Sequence, residues 1–506
     1  MYPSKSVCRL FTHTGIDFCY NGADSTGKGD DGMGHGMAAM LAGAALALQL
    51  AAGSVSFAAA PVQVPLGALP PAAASTAPAK GTDAYNLAYY TDLAVLACAG
   101  TYAPKTSEAW QYLRHYGWTI EPQQAEQDRH IANYMTARTA LPDGHTLYVV
   151  AFRGSADKKD WKEDLTVKHV PFERAQTRKT AAAVQKDAAP AQNAAAKRPA
   201  AAGTPQAAVP MVHKGFNDYT DAALAGLAQT DLFDRLRADP GSHLLLTGHS
   251  LGGAAATLLG MRLVTEGVPR DQVHVITFGA PAIGNDAFAE TYGPRLNLLR
   301  VVNTADPIPG SLQAVFGGYR QFGDVLTFQI PRQVSNMTHG INLYLDAAWK
   351  HYADAAQEAV DAGLLQDLPE RRDDTSYPLV GLYFEEKGGK KARNLAFLPY
   401  LRRFLTNAYK ADLPHYVILP DTDQEQVTRS GADYVLTVAI AGEPSRYDEG
   451  WYLTLDQGLQ DVKTGRWLAL TRSSRRTSPE AGNVEAAMAA LRQQRDVLQE
   501  QLPWYP

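Results

Sequence analysis

Ser250 stands at the centre of a Gly-x-Ser-x-Gly pattern formed by residues 248–252. The apolar run 244–247 before it is typical of a buried strand, and the Ala-rich segment after it is typical of a helix. A strand, a sharp turn and a helix together lift a serine hydroxyl to the edge of a sheet, where it can act as a nucleophile. A side chain at 248 or 252 would crowd such a turn. The pattern predicts a serine hydrolase; the alternative is a loop that carries Gly-x-Ser-x-Gly by chance.

Asp306 is the predicted acid. A serine hydroxyl needs a base, and the base needs an orienting carboxylate. In this architecture the acid follows the serine along the chain and precedes the histidine. Asp306 comes soon after the apolar segment 298–302, and Pro307 ends that segment. The alternative is that Asp306 only starts a turn.

His339 is the predicted base, because it lies in a loop at the start of a helical pattern and can reach over the sheet edge. His351, later in the same helical pattern, and His415, in the second half of the chain, are the alternatives. His249 is next to the serine on a tight turn, so it should point away from Ser250. We interpret it as a packing residue.

Acyl transfer also needs donors for the oxyanion. The backbone N–H of Leu251, directly after the predicted nucleophile, should supply one donor. The second should come from a loop after an early strand, and Ser155 follows the apolar segment 147–152. The alternative is an ordinary turn at the end of that strand, which Gly154 also explains.

Short apolar segments alternate with helical patterns in the first large region, residues 83–372. This alternation predicts an α/β fold, a mostly parallel sheet with helices on both faces. From residue 373 the pattern changes, and residues 373–506 are predicted to form a smaller C-terminal α/β (α+β) domain of unknown role. The predicted strands are 131–136, 147–152, 244–247, 273–277 and 298–302 in the first region, and 377–384, 416–419, 434–440, 451–455 and 467–470 in the second.

Three segments are predicted to lie outside these domains. Residues 1–58 form a disordered lead with a signal-peptide-like apolar run, which predicts export to the periplasm, the envelope or the medium. An uncleaved apolar anchor or a buried helix is the alternative. Residues 59–82 are an Ala/Pro-rich linker. Residues 175–209 have almost no large apolar side chains and are predicted to be a low-complexity insertion.

Composition excludes some classes of function. The chain has 506 residues and a formal net charge of −5, without the basic field that nucleic-acid binding requires. Its three cysteines are Cys8, Cys19 and Cys98, so no disulfide framework is expected after export. Cys98 lies in an apolar helical context and is predicted to be an inert core thiol. We expect no metal and no organic cofactor.

Several blocks together resemble the class 3 lipase family, the fungal-lipase-like branch of the α/β-hydrolases. They cover roughly residues 84–355, in the family's order. The blocks are Val150–Ser155 with Asp160 and Trp161, Val212–Phe216, Thr247–Gly253, Thr277–Asn285, Arg300–Pro309 and His339–Tyr344.

The resemblance implies a catalytic triad of Ser250, Asp306 and His339, an oxyanion hole at Ser155 and Leu251, and a lid region that includes Trp161. The low-complexity insertion leaves lid length and substrate access open, and the interval from Asp306 to His339 is short for the family.

The sequence therefore predicts a carboxylic ester hydrolase, a lipase or phospholipase. The resemblance implies acyl glycerol or phospholipid esters as substrates, met at a membrane or lipid interface. The alternative is an envelope-binding or scaffold protein with secondary catalytic activity, whose C-terminal domain docks a partner. No such partner is identifiable from the sequence.

Overall fold

The computed structural model describes residues 82–141, 143–155, 168–172, 209–316, 318–329, 338–386, 397–445, 450–477 and 482–506. The predicted lead, the linker up to residue 81, Trp161 of the lid region and residues 175–208 of the insertion lie outside these ranges. The strands are β1 (Thr119–Gln127), β2 (His130–Ala140), β3 (Thr146–Phe152), β4 (His169–Pro171), β5 (Met211–His213), β6 (His243–His249), β7 (Val273–Phe278), β8 (Asn297–Asn303), β9 (Asp324–Phe328), β10 (Arg371–Asp373), β11 (Val380–Glu386), β12 (His415–Ile418), β13 (Tyr434–Pro444), β14 (Trp451–Asp461) and β15 (Trp467–Thr477).

The α-helices lie before, between and after these strands. They are α1 (Thr82–Gly100), α2 (Glu108–His115), α3 (Lys214–Leu227), α4 (Leu232–Ala238), α5 (Leu251–Thr265), α6 (Asp286–Tyr292), α7 (Ile308–Phe316), α8 (Ile341–Asp361), α9 (Leu398–Asp412), α10 (Gln424–Ser430) and α11 (Asn483–Gln501). Within the described ranges, no helix is long and apolar enough to cross a membrane.

The first sheet has seven strands in the order β1-β2-β3-β6-β7-β8-β9. In this sheet β3, β6, β7, β8 and β9 pair in parallel, and β1 and β2 add an antiparallel edge. Because these five strands are parallel, their carboxyl ends meet at one edge of the sheet. Helices cover both faces, α1 and α8 on one and α3 and α5 on the other. This arrangement confirms the predicted α/β fold class.

Side chains of the central strands alternate between two buried clusters. Leu245 and Ile276 join the cluster under α1 and α8, whereas Leu244, Leu246 and Val275 join the cluster under α3 and α5. Successive side chains of a strand point to opposite faces, so the nearly continuous apolar runs fit strands that are buried on both faces.

A second sheet follows, with the strand order β10-β12-β11-β13-β14-β15. β11 pairs in parallel with β12 and β13, and β13, β14 and β15 form an antiparallel meander. The sheet begins at Arg371, close to the predicted boundary at residue 373, and α9 and α11 pack on it. We refer to residues 371–506 as the C-terminal unit; the division of the chain into two domains stays a prediction.

Side chains of the C-terminal unit and of the first sheet pack together in one buried cluster. One cluster contains Leu245 of β6, Trp349 and Tyr352 of α8, and Phe404 of α9. The rings of Trp349 and Phe404 lie edge to face with their centroids 4.8 Å apart. Helix α8 therefore packs against α9, one of the helices that cover the second sheet, and bonds to Asn303 of β8 in the first sheet through Tyr344.

Polar contacts reinforce this junction. The buried carboxylate of Asp412, at the end of α9, forms a two-pronged ion pair with Arg495 of α11, at 2.7 and 3.0 Å. His115 of α2 contacts the same carboxylate at 3.0 Å, and the hydroxyl of Tyr505 donates to it at 2.7 Å. The C-terminal unit is thereby bonded to a helix from the start of the chain.

Candidate active site

Ser250 lies between the end of β6 and the start of α5, at the carboxyl edge of the first sheet. Its backbone has φ 58° and ψ −126°, a strained conformation for a residue with a side chain. The turn is crowded as expected. A Cβ added at Gly248 would lie 2.1 Å from the backbone carbon of Gly252, and one added at Gly252 would lie 2.2 Å from the carbonyl oxygen of Phe152. The local sequence therefore imposes the turn that places a serine at the helix start.

Asp306 and His339 are in direct contact at the same edge. Asp306 follows β8, and His339 precedes α8 by two residues. His339 Nδ1 donates to Asp306 Oδ2 at 2.7 Å, because a carboxylate can only accept. In a neutral imidazole this leaves Nε2 as the acceptor nitrogen. That atom is buried and has no hydrogen-bond partner within the described residues.

Two further donors hold the carboxylate of Asp306. The backbone N–H of Ile308 donates to Oδ1 at 2.9 Å, and the hydroxyl of Tyr344 donates to Oδ2 at 2.6 Å. The Tyr344 oxygen also accepts from the backbone N–H of Asn303 at 3.1 Å. Burial and the charge of Asp306 raise the pKa of Tyr344, so the hydroxyl stays a donor. The carboxyl group is fully buried, and these donors compensate its charge.

His249 is bonded on both ring nitrogens, and one of its partners is the predicted base. Its Nε2 lies 2.7 Å from the carbonyl oxygen of His339, which can only accept, so Nε2 donates. Its Nδ1 lies 2.7 Å from the hydroxyl of Tyr102 and accepts from it. Burial, with a smaller contribution from the nearby ring of His339, lowers the pKa of His249 well below its usual value, so the ring of His249 is neutral. His249 does more than pack: it holds the backbone of His339.

The predicted oxyanion residues flank the serine. Leu251 is the first residue of α5, where a backbone N–H has no acceptor within its own helix. Ser155 follows Gly154, and a Cβ added at Gly154 would lie 2.6 Å from the carbonyl oxygen of His249 and 3.3 Å from Ser250 Cβ. The loop after β3 therefore passes directly over the nucleophile turn.

The other candidate groups lie elsewhere. The ring of His351 lies 5.8 Å from that of Phe328, and His415 Nδ1 donates to the carbonyl oxygen of Tyr377 in the C-terminal unit. The thiol of Cys98 is buried beside Thr247, and burial raises its pKa to about 12, as expected for an unreactive core thiol. Within the part of the chain that the structure describes, no cluster of His, Cys, Asp or Glu could hold a metal.

Sequence reasoning missed Tyr344 and Tyr102, and assigned His249 only a packing role. Tyr344 stands in a block that resembles the class 3 lipases, but nothing in its local pattern indicates a bond to a carboxylate 38 residues earlier. Tyr102 is 147 residues from His249. Contacts over such distances leave no periodic signal in a single sequence.

Comparison with known proteins found a matching family and several relatives for the region around this edge. Residues 149–316 match the family model described as lipase (class 3), which confirms the resemblance found in the sequence. A lipase of Rhizomucor miehei is 31% identical over 175 residues, which are 34% of this chain and 39% of the relative. A solved structure of the triacylglyceride lipase from that organism has a TM-score of 0.35 and 22% identity, over 50% of this chain and 81% of that chain.

Two other relatives are shorter matches. The secreted mono- and diacylglycerol lipase 1 of Fusarium solani is 35% identical over 107 residues, 21% of this chain and 31% of the relative. The phospholipase A1-II 5 of Oryza sativa subsp. indica is 36% identical over 102 residues, 19% of this chain and 22% of the relative. The chain thus spans less than half the length of each of these curated relatives.

Proposed function

We propose that this chain is a serine ester hydrolase with acyl glycerol or phospholipid esters as substrates, because residues 149–316 match the family model described as lipase (class 3). Relatives described as a mono- and diacylglycerol lipase and as a phospholipase A1 support this substrate class. The carrying observation is the contact between His339 Nδ1 and Asp306, which in a neutral imidazole makes Nε2 the acceptor nitrogen at the sheet edge that holds Ser250.

In the proposed mechanism, Ser250 attacks the ester carbonyl while His339 Nε2 takes its proton. Asp306 holds the imidazole in the required tautomer and stabilises its charged form. The backbone N–H groups of Leu251 and Ser155 bind the oxyanion. His339 then protonates the leaving alcohol, and water releases the acyl group from Ser250 by the same route in reverse.

We also propose that the protein is exported and meets its substrate at a lipid surface. The apolar run at residues 37–52 motivates this proposal, and a relative described as secreted supports it. The test is to express the full chain with a C-terminal tag and to assay the cell and exported fractions. Accumulation in the cytoplasm without processing would contradict export.

The central test is Ser250→Ala in the full chain. Loss of the nucleophile should reduce hydrolysis of a short chromogenic ester by at least ~10³-fold, while the urea midpoint stays close to that of the parent protein. Ser430→Ala is the matched control, because that hydroxyl caps a helix of the C-terminal unit by bonding the carbonyl oxygen of Val427. Its activity should be unchanged.

A fluorophosphonate probe supplies an independent readout. It should label Ser250 in the parent protein and in the Ser430 variant, but not in Ser250→Ala. A panel of a short ester, a long-chain triacylglycerol and a phosphatidylcholine vesicle then assigns the preferred substrate. Absence of labelling, or undiminished hydrolysis by Ser250→Ala, would overturn the proposal and favour a binding or scaffold role.

A further inference from the structure

Asp346 joins the helix that follows His339 to the C-terminal unit. It lies on α8, and its carboxylate accepts from the first residues of α11. The backbone N–H of Asn483 lies 3.0 Å from both carboxylate oxygens, the side-chain amide of Asn483 lies 2.8 Å from Oδ2, and the backbone N–H of Val484 lies 2.9 Å from Oδ1. A side chain of α8 therefore caps the N-terminus of α11.

The start of α11 is built to receive this cap. The first N–H groups of a helix have no acceptor within it, and a side chain just before the helix usually supplies one. Here the residue before the helix is Gly482, with φ 71° and no side chain. A Cβ added there would lie 3.2 Å from Asn342 Cβ on α8. A glycine lets the two helices approach, and Asp346 supplies the missing acceptor.

The opposite side of the same helical turn holds the proposed catalytic acid. Tyr344 precedes Asp346 by two residues, and an α-helix turns by about 200° over that interval. Tyr344 donates to Asp306, and His339 lies just before the helix. The first two turns of α8 are therefore bonded to α11 on one side and to Asp306 on the other.

Helix α11 is itself fixed along its length. Arg492 forms a two-pronged ion pair with Glu108 of α2, at 2.8 and 2.9 Å. Arg495, one turn later, pairs with the buried Asp412. A shift of α11 would break these contacts, so the position of its first turn is determined by the rest of the fold.

We infer that the C-terminal unit positions the proposed acid and base, with Asp346 as the positioning residue that links α11 to α8. This inference rests on the proposed function. It gives residues 371–506 a role in catalysis that needs no docking partner. A misplacement of about 1 Å in a catalytic group can reduce the rate ~10²-fold, so a loosened α8 should be visible in kcat.

The experiment compares Asp346→Ala with Asp346→Asn and Asp423→Ala in the full chain. Asp423 is the matched control, since it caps α10 in the C-terminal unit by accepting from the backbone N–H of Gln426 at 2.8 Å. Reactive serines are counted with the fluorophosphonate probe, and kcat and KM for a short soluble ester are given per reactive site. We expect kcat of Asp346→Ala to fall about 10- to 100-fold with KM within twofold of the parent.

Asp346→Asn keeps one acceptor oxygen and should fall about fivefold, between the parent and Asp346→Ala. Asp423→Ala should keep the parental kcat per site. If Asp346→Ala does not accumulate as folded protein, the Asn variant decides. Parental kcat in that variant, or an equal loss in Asp423→Ala, overturns the positioning role. Hydrolysis that survives Ser250→Ala would instead refute the proposed function, so the two failures are distinguishable.

Discussion

Replacing Tyr344 by Phe tests the polar network around Asp306 by removing one oxygen atom. The change deletes the donor 2.6 Å from Asp306 Oδ2 and the acceptor 3.1 Å from the backbone N–H of Asn303. Asp306 keeps two donors, Ile308 N–H and His339 Nδ1. The ring itself is fully buried and keeps its packing in the Phe variant.

The expected magnitude follows from the lost contact with Asp306. A hydrogen bond to a charged group contributes about 1.5–3 kcal/mol, so we expect the free energy of unfolding to fall by about 1.5–3 kcal/mol. If about half of this loss also weakens the orientation of His339 in the transition state, kcat falls about 4- to 13-fold.

The assay measures urea unfolding and, on probe-counted sites, kcat and KM for a short ester. Tyr409→Phe is the matched control, because Tyr409 is equally buried but its hydroxyl bonds Gln457 in the C-terminal unit, at 2.7 Å. It should lose stability while keeping kcat per site. Parental kcat in the Tyr344 variant, or an equal fall in both variants, would refute a role for this hydroxyl in holding the acid.

Two further predictions concern a glycine and a buried carboxyl group. Gly279, at φ 57°, should not tolerate Ala: the added Cβ would lie 2.7 Å from Asp306 Oδ2 and 3.0 Å from the ring of His339, so kcat per site should fall at least ~10²-fold. Gly465→Ala, at φ 71° with nothing within 4 Å, should lower stability by about 1 kcal/mol with parental kcat, and similar kcat in both variants would contradict the prediction. Asp92 is fully buried, its oxygens have no hydrogen-bond partner within the described residues, and burial raises its pKa well above the usual value. Above pH ~4 the unfolded chain releases this proton, whereas the folded state keeps it. The stability that the neutral carboxyl group contributes is therefore fully present below pH ~4 and is lost as pH rises, by up to about 1.4 kcal/mol per pH unit. Asp92→Asn should therefore gain stability relative to the parent between pH 5 and 8 in urea unfolding, and a difference independent of pH would contradict this account.

The central strands were predictable because their apolar runs are long and each is followed by a turn signal. The edge hairpin shows where this reasoning fails. β1 is largely polar, and its turn to β2 uses Asp128 and Arg129, both with positive φ, instead of the Asn-Gly or Gly pairs that announce such a turn. Edge strands carry little burial pattern, so β1 was missed and β2 was predicted only in part.

The residues of the candidate site also differ in how well the sequence alone predicts them. Ser250 and Asp306 stand beside strands with strong local patterns, and His339 stands at a helix start, so each could be named from its neighbourhood. The side chains that hold them could not. Asp346 bonds to a helix that begins 137 residues later, and its sequence neighbours would suit any amphipathic helix. Such contacts depend on how the sheets assemble, which the periodicity of one segment does not encode.

The cluster that places Trp349 and Tyr352 of α8 against Phe404 has a consequence for how the molecule comes apart. Cutting the chain after α8 would expose these large rings to water, together with the face of α1 beneath them. Each half supplies part of this interior, so each would lose buried contacts without the other. Heating should therefore melt both sheets in one cooperative transition, and removing the second sheet should destabilise α8 and the face of the first sheet that it covers.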